Sequence, residues 1–184
     1  MKLIALIGTA LVFLMNGLVF AASHEEILQN NEYGGITEIL TYSAGDDEYK
    51  QGIEKMVTSY DHKGNKMSVE AYATDENSTK EGWKKTVTYY WGKETIGEVY
   101  STDSHSAIYG FYRMVNYYDN DNKIYKREYF LRQDSIIGQL GVYKRVVYYD
   151  KEGRKTGFAD LDRFNNPIEI NLEEYQRIQR SKKN

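Results

Sequence analysis

The chain has 184 residues, a net charge of −3 from 24 basic and 27 acidic side chains, three histidines and no cysteine. The missing thiols exclude disulfides, cysteine nucleophiles and lipid attachment at an N-terminal cysteine, and charges this evenly spread leave no basic face for nucleic acid. Eighteen tyrosines against a single proline point to strands, because tyrosine suits a pleated backbone and proline cannot donate to a ladder.

Residues 1–22 read as a secretory signal: Lys2 gives the positive start, Leu3 to Phe20 the apolar run, and Ala21 and Ala22 the small residues of a cleavage site. A retained anchor is the alternative, since the run approaches the ~20 residues that span a bilayer. Asn16 and Gly17 interrupt it, which favours cleavage. No second apolar run follows, so no membrane span is expected after cleavage. The reading places the mature protein, one domain over 23–184, in the periplasm or outside the cell. Ser23 and Glu26 are spaced as a capping box and predict a short helix over Ser23 to Gln29.

From there a nine-residue phrase recurs: a glycine, a basic residue three on, a valine five on and a tyrosine eight on. Copies begin at Gly52, Gly82, Gly110 and Gly141, with Lys55, Lys85, Arg113 and Lys144, then Val57, Val87, Val115 and Val146, then Tyr60, Tyr90, Tyr118 and Tyr149. A partial copy at Gly34 keeps Ile39 and Tyr42 but has Thr37 for the basic residue. The repeat divides the domain into a partial unit over 34–51 and units over 52–81, 82–109, 110–140 and 141–167. Such a period marks stacked units, each unable to bury its apolar side alone.

Within each unit the tyrosine precedes a polar cluster: Asp61 to Asn65, Trp91 to Lys93, Asp119 to Asn122, and Asp150 to Gly153. A second alternating run follows, so each unit predicts a β-hairpin with a tight turn. The stretches Thr74 to Glu81 and Thr102 to Ala107 read as polar loops on the far rim. An opening strand near Ile36 to Tyr42 and a closing one near Ile168 to Ile170 flank the hairpins. A last helix is predicted over 172–180, capped by Asn171. The fold class is therefore all-β: an antiparallel meander of tandem hairpins with short flanking helices, either an open twisted sheet or a closed barrel. Regular repetition and unequal rim loops favour the open form.

Centring the turns on these clusters sets Lys55 opposite Tyr72, Lys85 opposite Tyr100 and Arg113 opposite Tyr129, with Val57 facing Glu70 and Val87 facing Glu98. Ile53, Trp83, Phe111 and Val142 fall on the same side. The resulting ladder of lysine, tyrosine and glutamate is explained most simply as joining neighbouring strands.

Tyr117-Tyr118-Asp119 with Asn122-Lys123, then Tyr148-Tyr149-Asp150 with Gly153-Arg154-Lys155 and Gly157, resemble the bacterial variant of the MORN repeat and the YD repeats of large secreted shell-forming toxins. The pattern runs in some form from Gly52 to Asn166. The third unit lacks the turn glycine, and the second has Trp91 for the aspartate. The resemblance implies tandem hairpins and a binding or scaffold role, with no catalytic residues.

Chemistry is hard to build from the remaining residues. His24, His62 and His105 are scattered, and Ser104 and Ser106 beside His105 point the wrong ways to be activated by it. Asp119, Asp121 and Asn122 begin like a calcium loop but lack its sixth-position glycine and distal glutamate. Glu70, Glu98, Glu128 and Asp160 repeat evenly, whereas a catalytic carboxylate pair needs an asymmetric cleft. The expectation is a non-enzyme without metal or cofactor: a secreted binding module whose tyrosine-rich face, formed by Tyr72, Tyr89, Tyr100, Tyr117, Tyr129, Tyr148 and Trp83, contacts a protein or a polysaccharide. Cross-strand packing accounts for these rings equally well. The alternative is a small-ligand carrier, a closed barrel with Trp83, Phe111, Val57, Val87 and Val115 lining its pocket.

Overall fold

The computed structural model describes residues 24–32, 34–92 and 94–181. The signal segment read over 1–22, and the capping Ser23, lie outside them. Ten strands follow one another: β1 (Glu25–Asn30), β2 (Ile36–Thr41), β3 (Ile53–Tyr60), β4 (Lys66–Ala73), β5 (Trp83–Trp91), β6 (Glu94–Ser101), β7 (Phe111–Tyr118), β8 (Ile124–Leu131), β9 (Lys144–Tyr149) and β10 (Lys155–Leu161). They form a single sheet in chain order, each antiparallel to the next. β1 and β10 are its free edges, so the sheet is open. The barrel alternative, with its enclosed pocket of Trp83, Phe111, Val57, Val87 and Val115, is not formed.

Three expectations about local structure are corrected. Residues 25–29, read as part of a helix, belong instead to β1, which pairs with β2 from Glu25↔Thr41 to Asn30↔Ile36. Two turns of helix are too short to hold themselves, whereas the sheet edge satisfies one side of the backbone at once. The stretches read as loops are helices: α2 (Asp75–Glu81) and α3 (Asp103–Tyr109) join successive hairpins, after the single turn α1 (Asp47–Lys50). The closing strand at 168–170 does not form either. Only an isolated bridge, Leu161↔Pro167, starts it, and the chain leaves for α4 (Leu172–Ser181), where Asn171 Oδ1 accepts the Glu173 and Glu174 N–H groups at 3.0 and 3.2 Å.

The helices explain the repeated glycines. Thr74 and Thr102 cap α2 and α3, each hydroxyl accepting an amide, from Asn77 at 3.2 Å and His105 at 3.3 Å. Gly82 and Gly110 then end these helices in the left-handed conformation, φ 76° and 79°, and Gly52 and Gly141 do the same after their own short turns. Gly82 is doubly constrained, because a Cβ there would lie 1.9 Å from His105 Nδ1.

Each strand that follows the first three of these glycines starts with a bulge, between Ile53 and Lys55, Trp83 and Lys85, and Phe111 and Arg113. The extra residue shifts the side-chain alternation. Lys55↔Tyr72, Val57↔Glu70, Lys85↔Tyr100 and Val87↔Glu98 pair as the turn positions predict. Arg113, however, pairs with Phe130, and Tyr129 pairs with Met114 on the other side. A second bulge beside Tyr118, opposite Ile124, moves that register by one. The initial bulges also carry Ile53, Trp83 and Phe111 away from the lysine face; the Phe111 ring meets Tyr129 edge-on at 5.2 Å.

Burial in this single layer comes from neighbours within the sheet. Along the middle of the ladder face, Val87, Glu98, Val115, Glu128 and Val146 stand side by side on β5 to β9, each 8% exposed or less. Long lysine, arginine and tyrosine side chains in the flanking row lie over them, their stems covering apolar surface while their heads reach water. Apolar burial otherwise concentrates at the helix end, in Ala73, Leu131, Val142 and Ile178 of α4.

A candidate aromatic binding strip

Alternation assigns the seven rings named from the sequence to two sides. Tyr72, Tyr89, Tyr100, Tyr117 and Tyr148 share the ladder face, while Tyr129 and Trp83 lie on the opposite one. Those on the ladder face divide again by height along the strands.

Tyr72 and Tyr100 belong to the seams that join one hairpin to the next. Tyr72 donates its hydroxyl to Glu70 at 2.6 Å, and Lys85 from the following hairpin reaches the same carboxylate at 2.6 Å. Tyr100 donates to Glu98 at 2.6 Å, and Arg113 binds that carboxylate through both Nε, at 3.1 Å, and Nη2. At the third seam Lys144 and Lys126 each lie 3.4 Å from Glu128. Burial works against ionising Glu70, but the bonds from Lys85 and Tyr72 outweigh it and hold the carboxyl below its ordinary value. Burial, reinforced by the bond to Glu98, pushes the Tyr100 phenol up to about 12. These rings are structural members with their polar ends committed; Lys85, Arg113 and Lys144 each spend their charge on the unit before, while Lys55 lies 4.1 Å from the Tyr72 ring centre in its own hairpin.

At the turn end the arrangement changes. Tyr89 and Trp91 of β5 form a ring pair at 6.1 Å, Tyr117 of β7 meets Tyr125 of β8 at 6.3 Å, and Tyr148 stands on β9. Tyr117 is the most engaged of these: Lys126 Nζ lies 3.6 Å from its ring centre, and burial followed by the nearby Glu128 charge pushes its phenol up to about 12. Trp91, Tyr148 and Tyr125 are 59%, 45% and 42% exposed. Tyr89, Tyr117 and Tyr148 occupy alternate strands, so successive rings stand about 9 to 10 Å apart at the usual strand spacing. Tyr125 and Trp91 escape a search for repeated positions, because both sit in or beside turns, where the repeat is least regular.

The hairpin turns are closed by local bonds: Asp61, Asp119 and Asp150, and likewise Asp162 in the tight turn that follows β10 at the helix end, each accept two amides of their own turn on one oxygen, at 2.8 to 3.0 Å. These are Asx turns, and the acidic clusters are used up by them. For Asp61 and Asp162, bonds from Asn65 and Asn166 hold the carboxyl below its ordinary range; for Asp150 the Arg154 guanidinium does so.

His105 lies on α3, not in a loop, with its ring 4.2 Å from that of Tyr109 and against Gly82. Ser106 is buried, donating to the Asp103 carbonyl at 3.1 Å and accepting from Arg132 at 3.0 Å. Among the described residues no group of three His, Asp or Glu side chains is arranged to hold a metal ion, and no helix is long and apolar enough to cross a membrane. No protein-family model, curated protein or solved structure matches the chain.

Proposed function

We propose that this is an exported, non-catalytic binding module, and that the turn-end strip of the ladder face, Tyr89, Trp91, Tyr117, Tyr125 and Tyr148, takes an extended polysaccharide. The observation that carries the proposal is the contrast within one face. Tyr72 and Tyr100 have their hydroxyls tied to seam carboxylates, whereas Trp91, Tyr125 and Tyr148 stay exposed at the turn end, with Tyr89 and Tyr117 half-buried beside them. Exposed aromatic area at low entropic cost is what recognition surfaces accumulate. The ring interval is comparable to a disaccharide step, and the strip is shallow and interrupted by Lys126 and Ile96. That suits a linear chain of sugar rings better than a protein, whose docking favours a compact, fully buried anchor cluster. Export rests on the residue pattern of 1–22, and the absence of catalysis on the even repetition of the acids. The MORN-like resemblance supports the same class of role.

The test is a titration of the full chain against a panel of neutral and acidic oligosaccharides, followed by tryptophan fluorescence. Trp91 should report binding, and Trp91→Ala or Tyr148→Ala should each weaken it about tenfold at unchanged stability, a stack being worth about 1 to 1.5 kcal/mol. Loss of binding on Tyr72→Phe but not on Trp91→Ala would refute the assignment.

A further inference from the structure

The opposite face holds a feature that the seams do not absorb. Of the three arginines that rise from the strands, Arg113 is on the ladder face and Arg127 and Arg145 are on this one. Arg113 is bound by Glu98, and Arg145 forks onto Asp160 at 2.6 and 2.7 Å. Arg127 has only neutral partners: its Nε donates to Asn116 Oδ1 at 2.5 Å, its Nη1 to the Tyr129 hydroxyl at 3.3 Å, and Tyr149 shares the same cluster. No carboxylate lies within ion-pair distance of it among the described residues. Asn116 is 6% exposed, so the guanidinium is anchored on a buried amide. Holding a half-buried cation without a counter-ion is unfavourable unless something else supplies one.

Arg127 lines an open hollow of about 510 Å³ between the turns of the third and fourth hairpins. Lys123 and Lys151 stand on its rim, where Lys123 Nζ donates to the Lys151 carbonyl at 2.9 Å. Ile124, Tyr118 and Tyr149 supply its apolar wall. Glu152 is the acid at its edge, and Arg154 already holds that carboxylate at 2.9 Å. The neighbouring Asp119 and Asp150 are committed to their turns. The hollow therefore offers three cations and a flat apolar wall, and the one acid that lines it, Glu152, is already engaged.

We propose that it binds a small organic oxyanion, a carboxylate or phosphate carried on a single ring. The Arg127 fork takes the anion, Lys123 and Lys151 add charge from the rim, and the ring packs on Ile124 with Tyr118 and Tyr149. This site lies on the face away from the aromatic strip and stands independently of it.

The test titrates the full chain with sodium benzoate, phenyl phosphate and neutral benzamide, followed by amide and arginine Nε–H resonances. The account expects at least one anion to bind at least about tenfold tighter than benzamide and to shift Arg127 Nε–H with the amides of residues 122–124 and 151–153. Which anion binds tighter identifies the carried group. Arg127→Gln should reduce that affinity about tenfold at an unchanged melting temperature. If that variant fails to fold, the double change Lys123→Gln and Lys151→Gln, both on exposed side chains, should weaken binding at least about threefold. Equal affinity for benzamide, shifts confined to other parts of the chain, or full affinity in the folded Arg127→Gln or the lysine variant would overturn the proposal. Neutral oligosaccharide binding should be the same in Arg127→Gln as in the native chain, so the two sites fail or succeed separately.

Discussion

The two ends of the hairpins are built for different purposes. At the helix end, the threonine caps, the left-handed glycines, the bulges and the buried Val142, Leu131 and Ile178 lock one unit against the next. At the turn end, the Asx turns of Asp61, Asp119 and Asp150 close on themselves with local bonds, and the large rings beside the turns stay open to solvent. A repeat protein must join its units somewhere, and here the joining is done at one end and along the seams. That leaves the other end free to vary, and it is where Trp91, Tyr125 and Arg127 depart from strict repetition.

Glycine substitutions break this comparison most forcefully. Gly82→Ala combines a left-handed backbone with a Cβ driven into the His105 ring, and should destabilise the protein by roughly 3 kcal/mol or more. Gly64→Ala at the turn end has a similar φ of 81° but no atom within 4 Å of the new methyl, and should cost about 1 kcal/mol. Urea unfolding of both variants measures the difference, and equal losses would mean the two ends are equally constrained.

Between the ends, the seam should respond nearly as strongly as Gly82. Glu98→Ala leaves Arg113 half-buried without its partner and removes the acceptor of Tyr100, an expected loss of about 2 to 3 kcal/mol. The pH dependence of stability sharpens the same point. The folded Tyr100 and Tyr117 phenols are pushed up to about 12, above the ordinary 10, so the stabilisation is complete below pH 10 and is lost as pH rises through that window. At the acid end, the lowered Asp61, Asp150 and Asp162 stabilise the fold above their ordinary range and stop doing so as pH falls through their folded values. Melting temperatures across pH, with Tyr100→Phe as control, follow the alkaline loss. The smallest stability effect belongs to Trp91→Ala and Tyr148→Ala, within about 0.5 kcal/mol of the native chain, as expected for exposed positions.

The hairpins, their turns and the first two registers were legible because valine alternation and Asp/Gly turns are local signals. The C-terminal helix was legible through Asn171. The connecting helices were written just as locally, in Thr74-Asp75-Glu76 and Thr102-Asp103-Ser104 followed by Gly82 and Gly110, but segments of seven residues read as polar loops when their caps are not weighed. The bulges had no such signature. They arise where a strand must leave a helix stop and re-enter the ladder, and they alone move Trp83 and Phe111 to the far side. β1 was decided by a partner strand, which its own six residues do not encode. As for the site, the tyrosine-rich face was visible in outline. Tyr72 and Tyr100 are spent on carboxylates two residues back on their own strands, but the cations that complete those seams come from the next hairpin, and Arg127 is distinguished by lacking a carboxylate partner of that kind.

The most direct test of the account is a side-by-side binding titration with an oligosaccharide that binds the native chain. It uses the turn-end variant Trp91→Ala with Tyr148→Ala and a helix-end variant, Ile108→Ser with Tyr109→Ser, whose side chains are still more open to solvent. The account predicts that the first loses affinity while the second keeps it, both melting near the native temperature. Loss confined to the helix-end variant, with the turn-end variant binding normally, would contradict it.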